Sequence, residues 1–289
     1  MIGSRFKPSA VSRMKTLFRF EEQNMNWNLN DYTIQTNAMA YGLKEAKIGP
    51  NSKALLWMDD KHSAELATIL MGCLKAGVNT ISMNQILHSN GSDKLNKNSI
   101  EVLAKENPDI LIISPNQKLE SKKKIEWLYD FLPHLERSNS NKKLQIKEMP
   151  NLKHVLQTGY YAKKGTMKFR DFLLYRDRNL SNHEVMDYKQ FYENALNEGE
   201  DILKDIQPQD HVYFTADFDN YTAIKKIMLG STLSGYFMNF ISKDLIHCSD
   251  LKFINDLDDS VRCHIIVDKH SEHVMRERVS RGNVNYINL

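Results

Sequence analysis

The side chains best suited to chemistry are the histidines and cysteines near the carboxyl end of the sequence. Imidazole and thiolate groups are the ligands that zinc prefers in proteins. The group comprises His247, Cys248, Cys263, His264, His270 and His273. His270 and His273 would share one helical face, but there is no Cys-x-x-Cys pair, and neighbouring strand residues such as Cys263 and His264 point to opposite faces. We therefore expect a buried cysteine and surface histidines, and we assign no metal ligand.

Nucleophilic catalysis would need a serine or cysteine beside a positioned base. The sequence has no Gly-x-Ser-x-Gly element and no local cysteine–histidine signature, and residues 233–235 are typical of a turn. Two acidic pairs are present, Glu21 with Glu22 and Asp258 with Asp259. Adjacent residues do not face one site, so we interpret both pairs as solvated and assign no catalytic residue.

The elements that would position functional side chains alternate between helix and strand. Helical periodicity and short apolar runs predict a helix over 32–46, a strand over 53–58, a helix from Ser63 to Gly77 and a strand over 78–83. The alternation continues with helices predicted at 99–106, 119–132 and 184–204, and strands at 109–114, 152–156 and 211–216. This order predicts an α/β fold with a largely parallel sheet flanked by helices. A polar stretch at 138–143 is a candidate domain boundary.

Composition excludes several classes of protein. With 289 residues, 41% hydrophobic and 26% charged, the chain can bury a sizeable core. Its apolar runs are far shorter than the roughly 20 residues of a membrane span, so we expect no transmembrane segment. A net charge of +3, from 39 basic and 36 acidic residues, gives no reason to expect a nucleic-acid partner. Three cysteines are too few for a disulfide framework.

The amino terminus differs in charge from the rest of the sequence. Its first 20 residues include serines and no acid, and their basic residues are Arg5, Lys7, Arg13, Lys15 and Arg19. This composition is typical of a mitochondrial targeting segment. A basic arm that lies on a partner or on an anionic membrane is the alternative. We predict a presequence-like arm over residues 1–20 and one α/β domain over residues 21–289.

Three segments carry a resemblance to a known family. Tyr32 begins the first predicted helix, Ile-Gly-Pro at 48–50 follows it, and Leu-Lys-Ala-Gly at 74–77 ends the second helix just before a strand. In this order they resemble the opening of the adenylate-forming enzymes, the AMP-binding or acyl-CoA synthetase family. The resemblance implies the fold of the front part of that family's large domain. It fades after Gly159 and concerns core elements rather than chemistry.

The chemistry of that family uses a loop, roughly Thr-Ser-Gly-Thr-Thr-Gly-x-Pro-Lys, after a strand. Its glycines let backbone amides approach the ATP phosphates, and its lysine neutralises charge. The matching residues here are 215–225, where Asp217 and Asn220 replace both glycines and Asp219 adds a second carboxylate. A carboxylate about 4 Å from a phosphate costs roughly 1 kcal/mol in water and about 4 kcal/mol at an effective dielectric constant of 20. We therefore predict that this segment does not bind ATP.

Length supports the same expectation. The resemblance implies further segments downstream of the loop, including a hinge and a lid with a catalytic lysine, and we expect the 289-residue chain to lack them. The sequence is therefore interpreted as a truncated, degenerate relative and as a pseudoenzyme without cofactors. No catalytic, cofactor-binding or metal-binding residue is assigned.

By analogy with former enzymes retained in large assemblies, we expect a non-catalytic accessory or structural subunit. The presequence-like start favours the matrix side of a mitochondrial inner-membrane complex, the respiratory chain or ATP synthase, with other protein subunits as partners. Two pairs are candidate contact aromatics, Tyr160 with Tyr161 and Tyr236 with Phe237. The alternatives are an acyl- or CoA-binding module and residual adenylate-forming ligase activity.

Overall fold

A computed structural model describes residues 15–89, 97–115, 118–119, 122–138, 144, 146, 149–175, 206–216, 218–242, 245–246, 251–258, 260–268, 271–280 and 282–288. The chain divides into two units. Unit 1 combines Met1–Ile34 with Asp187–Leu289, and unit 2 is Gln35–Met186. Where the sequence predicts one domain over 21–289, the structure has two units, because the chain leaves the first sheet and returns to it much later. The candidate boundary at 138–143 falls inside unit 2.

The described elements are numbered in chain order. The strands are β1 (Thr16–Phe20), β2 (Met25–Asn28), β3 (Lys53–Trp57), β4 (Asn79–Ser82), β5 (Ile110–Ile113), β6 (Lys118–Leu119), β7 (Lys122–Lys123), β8 (His154–Gln157), β9 (Met167–Lys168), β10 (His211–Phe214), β11 (Phe237–Phe240), β12 (Cys263–Val267) and β13 (Val284–Asn288). The helices are α1 (Leu29–Glu45), α2 (Ser63–Lys75), α3 (Met83–Ser89), α4 (Lys97–Glu106), α5 (Lys124–Phe131), α6 (Pro133–Arg137), α7 (Phe169–Phe172), α8 (Tyr221–Ser234), α9 (Lys252–Asn255) and α10 (Glu272–Arg278).

The described strands of unit 1 form a sheet in the order β13-β12-β10-β11-β1-β2. Every neighbouring pair in it is parallel except β1 with β2. The strand β12 is buried along its whole length, and its residues Cys263, Ile265 and Val267 share a buried cluster with Met275 of α10. Such continuous burial is expected for a parallel sheet that is covered on both faces.

Unit 2 is built on a second sheet in the order β4-β3-β5-β8-β9, and its described strand pairs are all parallel. Leu55, Leu111 and Val155, from three adjacent strands, join residues of α3, α4 and α5 in one buried cluster. The helix α2 is buried over almost all of its length, as its apolar sequence requires. The predicted α/β class with a largely parallel sheet flanked by helices is confirmed.

The segment predicted as a basic arm, residues 1–20, includes a strand. Thr16–Phe20 pairs in parallel with β11 and in antiparallel with β2. Phe18 and Phe20 are fully buried, and the Phe20 ring stacks on Phe240 at 5.1 Å between centroids. The basic composition hid this strand, because the half-buried Arg19 stands between the buried Phe18 and Phe20 and interrupts the apolar run.

Local chemistry explains where the first helix begins. The side chain of Asn28 accepts hydrogen bonds from the amides of Asn30 and Asp31, and the Asp31 carboxylate accepts one from the Asn28 amide. This reciprocal arrangement is a capping box, so α1 begins a few residues before the predicted start at Tyr32.

The helix predicted over 119–132 is shorter than expected. Lys118–Leu119 and Lys122–Lys123 pair as a two-stranded ribbon, and α5 begins only at Lys124. The Glu126 carboxylate accepts a hydrogen bond from the Lys123 amide at 2.9 Å and thereby fixes this start. The helix predicted over 184–204 lies outside the described residues. None of the helices in the described ranges is at once long enough and apolar enough to cross a bilayer.

Two glycines with positive φ allow a matched test of packing in the loops. Gly165 (φ +69°) lies under the backbone of Leu135, where an added Cβ would be 1.9 Å from the carbonyl oxygen. Gly235 (φ +78°) follows the last turn of α8, where an added Cβ meets nothing within 4 Å. Both positions strain an L-residue by about 1–2 kcal/mol, and only Gly165 adds a steric clash.

We expect Gly165→Ala to lower the free energy of unfolding by about 3 kcal/mol and Gly235→Ala by about 1 kcal/mol. Urea denaturation followed by circular dichroism measures both. Equal losses for the two variants would show that the close approach at Gly165 does not constrain the loop.

Candidate functional site

Ligands of parallel α/β proteins bind at the carboxyl ends of the strands. In unit 1 this place follows β10 and is occupied by Thr215, which is fully buried. Its amide and its hydroxyl both donate to the carbonyl of Ile266 on β12, each at 2.9 Å. The hydroxyl of Thr215, which the sequence analysis matched to the first threonine of the loop, is therefore used to join two strands.

The next described residues form a capped turn into α8. The side chain of Asn220 accepts a hydrogen bond from the amide of Ala223 at 3.1 Å, and the Tyr221 amide donates to the carbonyl of Asp219 at 2.9 Å. The ring of Phe218 is buried against Phe214, with 5.4 Å between centroids. A helix amino terminus binds anions through amides that lack a partner. At least two of these amides already have one inside the chain.

Three other charged residues lie in this segment or directly after it, namely Asp217, Lys225 and Lys226. Asp217 lies outside the described residues. Lys225 and Lys226 are half-buried within α8, beyond its capped first turn. The turn that follows β10 is therefore closed by its own side chains, as far as the structure describes it.

A group of ionisable side chains that the sequence did not predict lies at the opposite end of the same strands, where β10 and β12 begin. Asp210 is fully buried, and both of its carboxylate oxygens accept hydrogen bonds from the Arg262 guanidinium, at 2.9 and 3.0 Å. His264 Nε2 lies 3.0 Å from Asp210 Oδ2, and the amide of Gln207 donates to the same oxygen. His264 is only 3% exposed, so the expectation of surface histidines is wrong at this position.

The position of this cluster explains its role. Asp210 directly precedes β10, and Arg262 directly precedes β12, so the ion pair ties the amino ends of two paired strands. Parallel sheets bind ligands at the carboxyl ends of their strands, so the ion pair lies at the end that does not usually bind a ligand. A charged residue just before each of two buried strands is the sequence signal that would have indicated such a clamp.

The remaining metal candidates are dispersed. Cys263 is buried in β12, and His273 is exposed on α10 with its Nδ1 atom 3.6 Å from the Glu277 carboxylate. His247, Cys248 and His270 lie outside the described residues. Within the described ranges, no three His, Cys, Asp or Glu side chains are grouped so that they could hold a metal ion.

The carboxyl edge of the unit 2 sheet carries its own polar group. Lys124 is buried, donates to the carbonyls of Trp57 and Met58 at 3.2 and 2.9 Å, and lies 5.4 Å from the centroid of the Trp57 ring. The amide of Asp59 donates to Ser114 Oγ at 3.2 Å. These bonds connect the ends of β3 and β5 to the start of α5.

His62 stands beside this group. Burial opposes its protonation, but the hydrogen bond to Glu65 and the charges of Asp59 and Glu65 outweigh burial and the repulsion of Lys124, and they raise the pKa of His62. Acidic and basic side chains therefore lie close together at this end of the sheet, and the buried Oδ1 atom of Asp59 accepts no hydrogen bond in the part of the chain that the structure describes. No local pattern indicated this group, because its hydrogen bonds join residues that are 55 to 67 positions apart.

A cleft of about 520 Å³ lies at the carboxyl ends of α1 and α2. Its lining includes Tyr41, Lys44, Lys47 and Lys75. Lys75 is buried, and its ammonium group donates to the side-chain oxygens of Thr36 and of Asn37, which neighbours Thr36. Burial lowers the pKa of Lys75 to about 7. Lys75 belongs to the Leu-Lys-Ala-Gly segment that carries the family resemblance, and here it ties α2 to α1.

Comparisons with known proteins give a result for the fold. No family model matches the sequence, and no curated protein matches it. Solved structures do match, among them a long-chain-fatty-acid CoA ligase from Rhodopseudomonas palustris with a TM-score of 0.63 and 10% identity. A fatty acyl CoA synthetase from Mycobacterium tuberculosis has a TM-score of 0.62 and 10% identity, and an anthranilate CoA ligase in complex with anthranoyl-AMP has 0.58 and 15%.

These matches cover 96%, 94% and 97% of this chain and 66%, 51% and 56% of the respective ligases. The chain thus spans between half and two thirds of the length of these structures. The predicted resemblance to adenylate-forming enzymes is confirmed for the fold. Identities of 10–15% carry no statement about activity.

The clamp at Asp210 predicts a large cost of truncation. We expect Asp210→Ala to lower the free energy of unfolding by about 1–3 kcal/mol, because it leaves the buried His264 ring without its partner and removes both hydrogen bonds from the partly exposed Arg262. The control is Asp130→Ala, whose ion pair with Lys122 at 2.7 Å is half exposed and contributes less than about 1 kcal/mol. Chemical denaturation of both variants measures the difference, and losses of similar size would contradict the assigned role of the clamp.

Lys75 predicts a pH dependence with a defined sign. Its pKa is about 7 in the folded chain and near 10.5 in the unfolded one, so the unfolded state binds more protons between these values. The free energy of unfolding should therefore rise with pH over this window, by an amount on the order of 4 kcal/mol. Lys75→Met should remove this rise, whereas Lys105→Met, at an exposed position, should keep it. Parallel pH profiles for wild type and Lys75→Met would contradict the assignment.

Proposed function

We propose that this chain is a non-catalytic accessory subunit that uses the fold of an acyl-CoA ligase as a scaffold. The observation that carries the proposal is the hydrogen bonding after β10. Thr215 gives both of its donors to Ile266, and Asn220 caps the amide of Ala223. A pseudoenzyme without a nucleotide cofactor follows from this proposal.

The energetic argument concerns ATP. Adenylation requires donors that face the phosphates before the reaction begins, and rearranging bonded donors costs free energy. Opening this turn would break the bonds of Thr215 and Asn220, and the carboxylate of Asp219 would then stand near the phosphates. Each such carboxylate opposes binding by roughly 1–4 kcal/mol, depending on the effective dielectric constant.

The location is the second part of the proposal. Arg5, Lys7 and Arg13 in an acid-free amino terminus support import into mitochondria. We propose the matrix side of a large inner-membrane assembly, such as the respiratory chain or ATP synthase, with protein subunits as partners. This part of the proposal depends on analogy with former enzymes that are retained in large assemblies, and on the composition of the amino terminus.

Native electrophoresis tests the subunit role. We expect the endogenous protein, extracted with a mild detergent, to migrate with a membrane assembly far larger than the chain itself, and to co-purify with that assembly. Mitochondrial matrix enzymes in the same extract serve as the soluble control. Migration as a free chain under these conditions would overturn the proposal.

Exchange of pyrophosphate into ATP tests the absence of catalysis. We expect no exchange above background with a panel of fatty and aromatic acids, for the wild type and for Lys225→Ala alike, while an active acyl-CoA ligase in the same assay gives a signal. Exchange that Lys225→Ala abolishes would establish residual ligase activity instead. Thermal stabilisation by acyl-CoA without stabilisation by ATP would favour an acyl- or CoA-binding module.

A further inference from the structure

Two adjacent tyrosines are the most exposed large aromatic residues that the structure describes. Tyr160 is 65% exposed and Tyr161 is 76% exposed, whereas Tyr236, of the other candidate contact pair, is buried and Phe237 is half-buried. Their rings pack edge to face, with 4.8 Å between centroids. Large aromatic side chains are usually at least half buried, so a pair held at the surface indicates a contact site.

The loop that carries them is fixed in place from below. Gln157, fully buried at the end of β8, accepts hydrogen bonds from the Lys163 amide and from the Thr166 hydroxyl, each at 2.8 Å, and donates to the carbonyl of Tyr161. A second anchor lies further along, where the Tyr129 hydroxyl donates to the carbonyl of Lys164 at 2.8 Å. The tyrosines are thus presented by an ordered loop, which reduces the entropy lost on binding.

Cations surround the same aromatic pair. Lys168 Nζ and Arg170 Cζ lie 5.8 and 5.0 Å from the centroid of the Tyr160 ring. Lys163 and Lys164 follow the tyrosines after one alanine, and the Lys164 side chain is exposed. Residues 159–171 contain these four cations and a single carboxylate, Asp171. We call residues 159–170 the tyrosine loop.

We propose that the tyrosine loop docks on the surface of an anionic phospholipid bilayer. Tyrosine rings occupy the boundary between lipid headgroups and acyl chains, because one end of the ring is apolar and the other is polar. Lysine and arginine beside them attract anionic headgroups. The combination fits a membrane surface, because one partner then supplies both the anionic charge and the boundary layer that tyrosine rings occupy.

This inference depends on the surface of unit 2 and not on the proposed subunit role. A free chain would bind vesicles through the same loop, and a subunit of a large assembly would use it as a second attachment. The two proposals therefore fail independently, because native electrophoresis does not test lipid binding and vesicles contain no other subunits.

Vesicle sedimentation with the full-length protein tests the proposal. We expect binding to phosphatidylcholine vesicles that contain phosphatidylglycerol, weak or no binding to phosphatidylcholine alone, and a decrease of binding as salt is raised. The double variant Lys164→Gln/Arg170→Gln should bind about 25-fold more weakly, since each cation near the surface contributes roughly fivefold. Tyr160→Ser/Tyr161→Ser should also lose affinity, even at low salt.

The control changes the same charge elsewhere in unit 2. Lys44→Gln/Lys105→Gln alters two exposed lysines outside the tyrosine loop and should leave vesicle affinity within about twofold. All variants must keep the thermal midpoint of the wild type. No binding to the anionic vesicles, or an equal loss in the control, overturns the proposal. Loss of the native assembly in the tyrosine variant, without vesicle binding by the wild type, would identify a protein contact and also overturn it.

Discussion

The pairing of β10 with β12 is held at both ends by side chains, and the rest of unit 1 is arranged around it. At the amino ends, the buried carboxylate of Asp210 binds Arg262 and His264. At the carboxyl ends, Thr215 donates twice to the carbonyl of Ile266. These bonds fix the register of the pair, because a slip would break bonds at both ends of the strands. The neighbouring strands β11 and β13 pair with β10 and β12, respectively.

The buried strands and the loops that follow them are subject to different constraints in this fold. Acyl-CoA ligases with 10–15% identity match this chain over nearly its whole length, so the core alone is sufficient to maintain the architecture. A catalytic loop is a surface feature that follows a strand, and its residues can change while the strand stays buried. In the turn after β10, the Phe218 ring packs on Phe214 of the sheet, and the side-chain oxygen of Asn220 caps α8.

The sequence predicted those elements whose signals are local. The apolar run at β3 and the buried helix α2 follow from periodicity, and the predicted bounds agree with the structure to within one or two residues. Contacts between distant residues were not predictable in this way. Asp210 and His264 are 54 residues apart, and β1 joins the sheet through Phe18 and Phe20 despite a basic composition. The return of the chain to the sheet of unit 1 is likewise a contact between distant residues, and no local pattern shows it.

Both sheets use a polar residue at the carboxyl end of a strand to organise the loop that follows. In unit 1, Thr215 bonds to Ile266 and the turn closes over it. In unit 2, Gln157 bonds to the backbone on both sides of residue 162 and holds the tyrosine loop outward. A buried amide bonded three times is committed to structure, and so is a hydroxyl bonded inside the sheet. The edge where related folds place their ligands is therefore used here to fix loops in position.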